Sequence, residues 1–590
     1  MELIIDFETF DPHLEDLGSG WVYGTLQVIG AGLQVDEGEP FWLTDKEEIL
    51  SWARKADVIV AHNLQYDLGI LYSWGLDLKD KLIIDTIILA KLTDNSLPSY
   101  SLDNLSKSLS GSHKFTTSLG EVVLKYGLYQ DKNGKAINTT EIKKATKYAY
   151  ENMNRIYAVA PEVVIEYCLQ DIRLTKRLLE QYNLHTIKSW VYRYSDLFKI
   201  LLKNRKNGVR ISLDGLHKAS DYLLKLEEEA KVIAADIYGD INFNPNSNKQ
   251  LADAYSKRRD VPRTAKGNLS ITKEWLAEQT DELSIAINRF RHYQKARRDF
   301  CDNMLELQSM MPEHMRGRVY PEYNVHGART GRFSCNKPNL QQIPGRDDEL
   351  CDIIRGIYIP EDGENWYSLD FSQQEFRIFA HTVFMYCGDS TVSSAYIKNP
   401  NTDFYTFVSS VCRLSRDEAK PISLGKLYGM GVGKLAQSLK ISVDAARRIV
   451  RQYDTKFPSV KKLAGELSDY YKYNKCVITL GGRRLKVEKE SDIKGKDYSY
   501  RAINYCIQGS ASEQIIDAWI ALDKAGLNVV VSVHDEMNFS LKTESDAVQA
   551  KEIMERACKL GIPMVCEIGG GMSWAHAKKD AKVRKKKETK

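Results

Sequence analysis

Apolar residues in the first 190 positions gather into short runs, LIIDF, DVIVAHN and LIIDTIILA, separated by stretches in which they recur every three to four residues. Short apolar runs bounded by polar turns predict buried strands, and the 3.6-residue period predicts amphipathic helices, so this portion reads as an α/β unit with a mixed sheet. From about 191 to 320 the pattern is helical, with LLKLEEEAKVIAADIYG and NRFRHYQKARRDFCDNML as the long candidates. The turn-rich segments GDINFNPNSNKQ and VPRTAKGNLS break it. Strand-bearing segments return after 320, interrupted by a helical insert at roughly 400 to 475.

Composition narrows this little. The chain has 590 residues, 43% hydrophobic, 27% charged and 10% aromatic, which excludes disorder and collagen and calls for several compact units. No apolar run approaches the ~20 residues of a membrane span, and the start, MELIIDFETF, lacks the basic region of a signal peptide, so the expected location is the cytoplasm with no membrane partner. The cysteines, from Cys168 to Cys566, form no C-x-x-C pair and read as reduced core residues. A net charge of +4 neither demands nor excludes nucleic acid. The basic tail KKDAKVRKKKETK reads as a frayed, solvated end.

Two sets of acids change the picture. In IIDFE, Asp6 and Glu8 lie two apart and share one face of a strand; AHNLQYDLGIL adds Asn63 and Asp67, and EYCLQDIRLTKRL adds Tyr167 and Asp171 at i, i+4 on one helical face. Taken singly, each acid reads as a surface or capping residue. Convergent carboxylates suit hard cations such as Mg²⁺ or Mn²⁺, and two ions about 4 Å apart can activate water against a phosphodiester. The second set begins with VVVSVHDEMNF, a core strand ending in Asp535 and Glu536, and with WYSLDFSQQEFRIFAH, another strand ending in Asp370. As neighbours, Asp370 and Asp535 would repel and have raised pKa values unless cations neutralised them. Between them RDEAKPISLGKLYGMG places Arg416, Lys420, Leu424 and Tyr428 on one helical face, a basic surface able to hold a triphosphate.

The first set, in this order, resembles the 3′–5′ exonucleases of the DEDD class with tyrosine in the third motif, and DTIILAKLTDNSLPSYSLDNLSKSLSG from Asp85 resembles that family's connecting segment. Residues from about 200 to 577 resemble the polymerase region of family A DNA polymerases, the bacterial polymerase I and bacteriophage type. The carriers are Asp370 in D-[YF]-S-x-x-E-x-R, RDEAKPISLGKLYG in R-x-x-x-K-x-x-x-x-G-x-x-YG, and VHDE; ARTGRFSCNKPNLQQIP, TLGGRRLKV, RAINYCIQGSASE and EIGGGMSW support them. The resemblance implies an α/β and α+β multidomain chain: a ribonuclease H-like exonuclease domain over 1–190, then a right-hand polymerase over 191–590. Its thumb would span about 200–320, its palm about 321–400 and 476–590, and its fingers about 401–475.

By the same resemblance, two Mg²⁺ ions per active site, with Mn²⁺ as substitute, would be held by Asp370 and Asp535 for extension and by Asp6, Glu8, Asp67 and Asp171 for trimming, with Tyr167 catalytic in the second. Glu536 would stand near the metals. Arg416 and Lys420 would hold the dNTP, with Lys420 as proton donor; Leu424 and Tyr428 would line the nucleotide pocket, and Glu375 would exclude a ribose 2′-hydroxyl, held by Tyr428. His534 and Arg332 would contact the primer end, and Asn504 and Gln508 the minor groove or template. The thumb, with Arg263 and Lys266, would grip duplex phosphates. The implied partners are primer-template DNA and dNTPs, for a monomer in phage DNA replication in the host cytoplasm. The chain departs from the family at Leu424, where Phe or Tyr is usual, and at Pro421, which implies a late or kinked helix; it also shows no 5′-nuclease domain and no thumb insertion of the kind that recruits thioredoxin. The rival readings are a single-subunit RNA polymerase-like enzyme and a catalytically inert nucleic-acid-binding remnant.

Overall fold

In the computed structural model, which describes residues 1–110, 117–130, 140–258, 260–264, 266–325, 327–345, 347–488, 497–557 and 559–588, the early apolar runs build one mixed sheet. Its strands are β1 (Glu2–Phe10), β2 (Gln27–Val35), β3 (Phe41–Leu43), β4 (Val58–Ala61) and β5 (Leu82–Asp85), in the order β3-β2-β1-β4-β5. Strand β1 runs antiparallel to β2 and parallel to β4. Three helices, α1 (Gln65–Ser73), α2 (Thr86–Thr93) and α3 (Pro161–Gln181), carry or brace the acids of the first set. Across the β1–β2 pair, Asp6 faces Gly32 and Glu8 faces Gly30. A Cβ at Gly32 would meet Cys168 Sγ at 2.8 Å, so glycine there lets α3 lie close against the strand that carries the acids.

The run LIIDTIILA does not continue as a strand. It divides at Asp85, whose Oδ1 accepts the Ile87 N–H at 2.8 Å and caps α2, because a short apolar run is compatible with a buried helix once a capping acid interrupts it. The same carboxylate accepts the Asn63 and Leu64 N–H groups at 3.1 and 3.0 Å, tying the end of β4 to α2. Burial outweighs these donors and raises Asp85 to about 6. Asp85→Ala is therefore expected to lower stability by about 3 kcal/mol at pH 5, from a lost cap and orphaned buried amides. Because the folded pKa lies above the unfolded one, Asp85's stabilisation is complete at low pH and falls as pH rises through about 6, so the cost of the substitution should shrink by pH 8; urea midpoints at the two pH values check it.

Helix α4 (Leu184–Asn207) crosses position 190, the expected boundary, without interruption. It buries Trp190, Phe198 and Leu201 in a core continuous from the first sheet into the second half of the chain. There, α5 (Leu213–Tyr238) packs along α6 (Glu282–Arg297), which runs into a π-helical turn at Arg298–Asp302. The second sheet contains β6 (Asn365–Phe371), β7 (Val529–Val533), β8 (Glu536–Leu541) and β9 (Cys566–Gly571), all antiparallel, in the order β7-β8-β6-β9. Helix α7 (Gln374–Cys387) leaves β6. The expected helical insert is a cluster of helices between Phe404 and Asn474, including α8 (Arg416–Leu427), which shares a second apolar core with α7 and with the helix over Ala502–Lys524. Helix α9 (Ala502–Lys524) is buried along most of its length, and α10 (Trp574–Glu588) closes the described chain.

That last helix corrects the expectation of a frayed tail. Its basic residues pair with acids of neighbouring elements, Lys579 with Asp352 at 2.7 Å and Lys582 with Asp348 at 2.5 Å, so the charge run is a docked face. The nine cysteines among the described residues are all free thiols.

Candidate active sites

The first set of acids converges. Asp6, Glu8, Tyr167 and Asp171 line one cleft of about 510 Å³, opposite His62, Asn63 and Lys91. A register shift in β1 between Glu8 and Thr9 re-aims the strand there. Asp67 lies behind the lining: its Oδ1 accepts the Phe7 N–H at 3.0 Å. Burial and then the charge of Asp6 push its pKa well up. Burial, Asp171 and Glu8 likewise raise the Tyr167 phenol. Cys168 Sγ reaches the Asp6 carbonyl at 3.4 Å and its carboxylate at 3.6 Å, and burial keeps the thiol protonated, so the donor set left for a cation is carboxylate oxygen. Such a set fits Mg²⁺ or Mn²⁺.

The second set is built by strand register. On β6, Asp370 stands opposite Glu536 of β8 and Glu567 of β9. The Phe371 N–H donates to the Asp535 carbonyl at 3.1 Å, which places Asp370 and Asp535 side by side. Burial raises both: Asp370 to about 6, against the lowering pull of Lys578, and Asp535 well above its ordinary value, with the charge of Asp370 the next cause. Glu536 is opposite in behaviour. Burial acts to raise it, but Lys578 and then Arg355 outweigh that and hold it at about 2. Both of its oxygens are engaged, Oε1 by Ser368 Oγ and Trp574 Nε1 at 2.8 Å each and Oε2 by Lys578 Nζ at 2.9 Å. Asp370 and Asp535 are thus the pair whose ionisation calls for a cation, while Glu536 is already neutralised within the protein.

Helix α8 begins at Arg416, capped by Ser415 with Glu418 in a capping box, and carries Pro421 inside it. Neither a late start nor a lost Arg416 follows from the proline. Arg416 forks onto Asp403 Oδ2 at 2.8 and 3.1 Å and lies over Tyr405, as does Lys420 at 5.9 Å, so Tyr405 is the shared support of both cations. Leu424 is half-buried against the insert's core. Tyr428 donates its hydroxyl to Glu375 Oε2 at 2.6 Å, and Arg332 pairs with Glu375 Oε1. Arg332 and His534 line a small recess with Gln374 and Ser512. Asn504 and Gln508 lie one turn apart on α9, on the face that continues to Ala511 and Ser512 of that recess.

The sequence reading missed three groups. Lys91 lines the first cleft, stacked on Tyr100 at 4.6 Å and lowered by burial to about 8. Asp94 and Asn95 clasp the two halves: Asn95 donates to the carbonyls of Arg329 and Lys486 at 3.0 and 3.2 Å and accepts from the Lys486 N–H at 2.7 Å, while Asp94 pairs with the Lys486 ammonium. Lys578 and Arg355 reach the carboxylates of the second set. None of these contacts is local, so no periodicity announces them.

Known proteins are similar to this chain along most of its length. The profile described as DNA polymerase family A matches residues 216–576. A DNA-directed DNA polymerase of Pseudomonas phage M6 is 27% identical over 97% of this chain and 94% of its own. DNA polymerase DpoZ of Vibrio phage phiVC8 is 27% identical over 95% and 94%. DNA polymerase I of Caldicellulosiruptor bescii is 30% identical over 65% of this chain and 46% of its own. Among solved structures, the POL domain of Pol1 from M. smegmatis, in complex with DNA primer-template and dNTP, superposes with a TM-score of 0.75 at 21% identity, covering 98% of this chain and 95% of that one. Among the described residues, no helix is long and apolar enough to cross a membrane.

Proposed function

The chain belongs to DNA polymerase family A, and on that premise we propose that it extends a primer 3′-hydroxyl with dNTPs at the Asp370–Asp535 pair and trims 3′ ends at the cleft lined by Asp6, Glu8 and Asp171, with Asp67 behind it. The observation that carries this reading is the presence of two separate carboxylate clusters, each on its own sheet. Two Mg²⁺ ions at each cluster, or Mn²⁺ in their place, would lower the pKa of the attacking oxygen and balance charge on the leaving one. Asp370 and Asp535 supply the ligands for extension, and Asp6, Glu8, Asp67 and Asp171 those for trimming, where Tyr167 orients the attacking water.

Arg416 and Lys420 bind the triphosphate from α8, and Lys420 serves as proton donor to the departing pyrophosphate. Charge neutralisation and positioning then account for most of the rate, as in other phosphoryl transfers. Residues 1–190 form the exonuclease domain and 191–590 the polymerase, with its thumb, palm and fingers in the order the sequence motifs imply; α4 is the common spine of the two domains. His534 and Arg332 hold the primer end, and Asn504 and Gln508 contact the minor groove or the template beside it. The phage relatives support a role in phage DNA replication within the host cytoplasm.

Glu375, braced by Tyr428 and Arg332, blocks the space a ribose 2′-hydroxyl would need. Glu375→Ala is expected to raise NTP incorporation by about 5- to 160-fold, the range of a relieved overpacking penalty of about 1–3 kcal/mol. The deciding experiment gives the full chain a primed template with dNTPs or NTPs, and a 3′-labelled hairpin, in Mg²⁺. Metal-dependent dNTP extension with hairpin shortening supports the reading. Preferential NTP use would make the enzyme an RNA polymerase, and inertness in both Mg²⁺ and Mn²⁺ a binding remnant.

A further inference from the structure

The acids of the second set are answered in part by the protein itself. Asp370, Asp535, Glu536 and Glu567 crowd one sheet edge, and three cationic side chains already answer part of that charge. Lys585 pairs with Glu567; Arg355 Nη1 stands 3.7 Å from Glu536 Oε2, its guanidinium over the Trp574 ring; and Lys578 bridges Glu536 Oε2 at 2.9 Å and Asp370 Oδ2 at 3.3 Å. Lys578 lies on α10, just beyond residue 576, where the family match ends.

The helix is held in that position by construction. A Cβ at Gly569 of β9 would stand 2.0 Å from the Ala577 carbonyl, so α10 can touch the strand only because glycine is there. Asp580 accepts the Gly570 N–H at 3.0 Å, and Lys579, Lys582 and Arg584 pair with Asp352, Asp348 and Glu544. Lys578 therefore arrives at Asp370 on an anchored element.

We propose that Lys578 is a positioning residue of the extension site: its ammonium neutralises Glu536 and fixes Asp370 Oδ2, leaving Asp370 Oδ1 and the Asp535 carboxylate for divalent cations. The inference rests on reading Asp370 and Asp535 as the metal-binding pair. It predicts an opposition between affinity and rate. Losing the ammonium deepens the negative potential, so the metal binds more tightly, while Asp370 loses its orientation and extension slows.

The test measures Mn²⁺ binding, by the paramagnetic resonance of the free ion, to the full chain without DNA and with Asp6→Ala to weaken the N-terminal cleft. Lys578→Gln and Lys578→Met are each expected to tighten Mn²⁺ by about tenfold, the effect of a unit charge about 6 Å from a divalent ion in a water-like dielectric. Extension should fall in the same proteins, and Lys578→Arg should keep Mn²⁺ affinity within about twofold, a margin small beside the tenfold charge effect. Melting temperatures identify any variant that fails to fold, and the other uncharged one then decides. Unchanged or weaker Mn²⁺ binding in the folded uncharged variants, or an arginine variant that behaves like them, overturns the proposal. If Asp370→Ala leaves Mn²⁺ binding intact, the metal-site reading itself falls.

Discussion

Asp535→Ala is expected to reduce primer extension by about 10³- to 10⁴-fold, the several kcal/mol that a metal-assisted phosphoryl transfer loses with a ligand, while 3′-end trimming stays within about twofold. The direction follows from position. Asp535 sits in the turn between β7 and β8, its carbonyl bonded to Phe371, and its charge is shared with Asp370 and Glu536. Its neighbours have other partners: Glu536 is held by Ser368, Trp574 and Lys578, so it is not free to swing across as a replacement ligand. The alanine variant also removes a half-buried carboxyl whose ionisation desolvation disfavours, so the metal-free protein should be no less stable than the parent. Steady-state extension on a primed template and nucleotide release from a labelled hairpin, run on one preparation, check the separation. Equal loss of both activities in a folded protein would mean that one site serves both.

The pair Asp370–Asp535 was legible because each closes an apolar run, and a buried strand ending in an acid demands a reason. Likewise Asp6 with Glu8, and Tyr167 with Asp171, share faces through strand and helix periodicity alone. The mixed first sheet and the helical insert followed from the same periods. What periodicity does not encode is register between distant strands. That Glu567 would stand opposite Asp370 follows from the β6–β9 pairing, and nothing local to EIGGGMSW reports it.

Long-range cations were invisible for a related reason. Lys578 lies 208 residues from Asp370 in sequence, inside a run of charges that reads like any solvated end. Its meaning depends on Gly569, whose missing side chain lets the helix close on the strand. The clasp of Asn95 with Lys486 spans 391 residues and rests on backbone carbonyls, which carry no residue signature. Pro421 shows the converse: a local rule pointed to a late or kinked helix, but α8 already starts at Arg416, five residues before the proline, with Ser415 and Glu418 fixing its first turn by a capping box.

Asp6→Ala is expected to produce the mirror image, a loss of about 10³- to 10⁴-fold in 3′-end trimming with extension within about twofold of the parent. Asp6 contributes both a half-buried carboxylate to the cleft and a charge that destabilises ionised Asp67 behind it. Removing it deletes one carboxylate of the proposed metal site and relaxes Asp67 toward its ordinary range, so the residual cleft keeps acids but loses their paired geometry. Extension is insulated because the halves meet elsewhere, through the clasp of Asp94 and Asn95 with Arg329 and Lys486 and through the shared core along α4. The clasp does reach Arg329, three residues before Arg332, which braces Glu375; a disturbance of that joint, unlike one at Asp6, should therefore alter nucleotide selection. Measuring trimming of a labelled single strand beside dNTP extension, and NTP incorporation beside both, distinguishes the two. If Asp6→Ala slowed extension or relaxed NTP exclusion at an unchanged melting temperature, the cleft and the extension site would be coupled through the shared core and could not be independent centres.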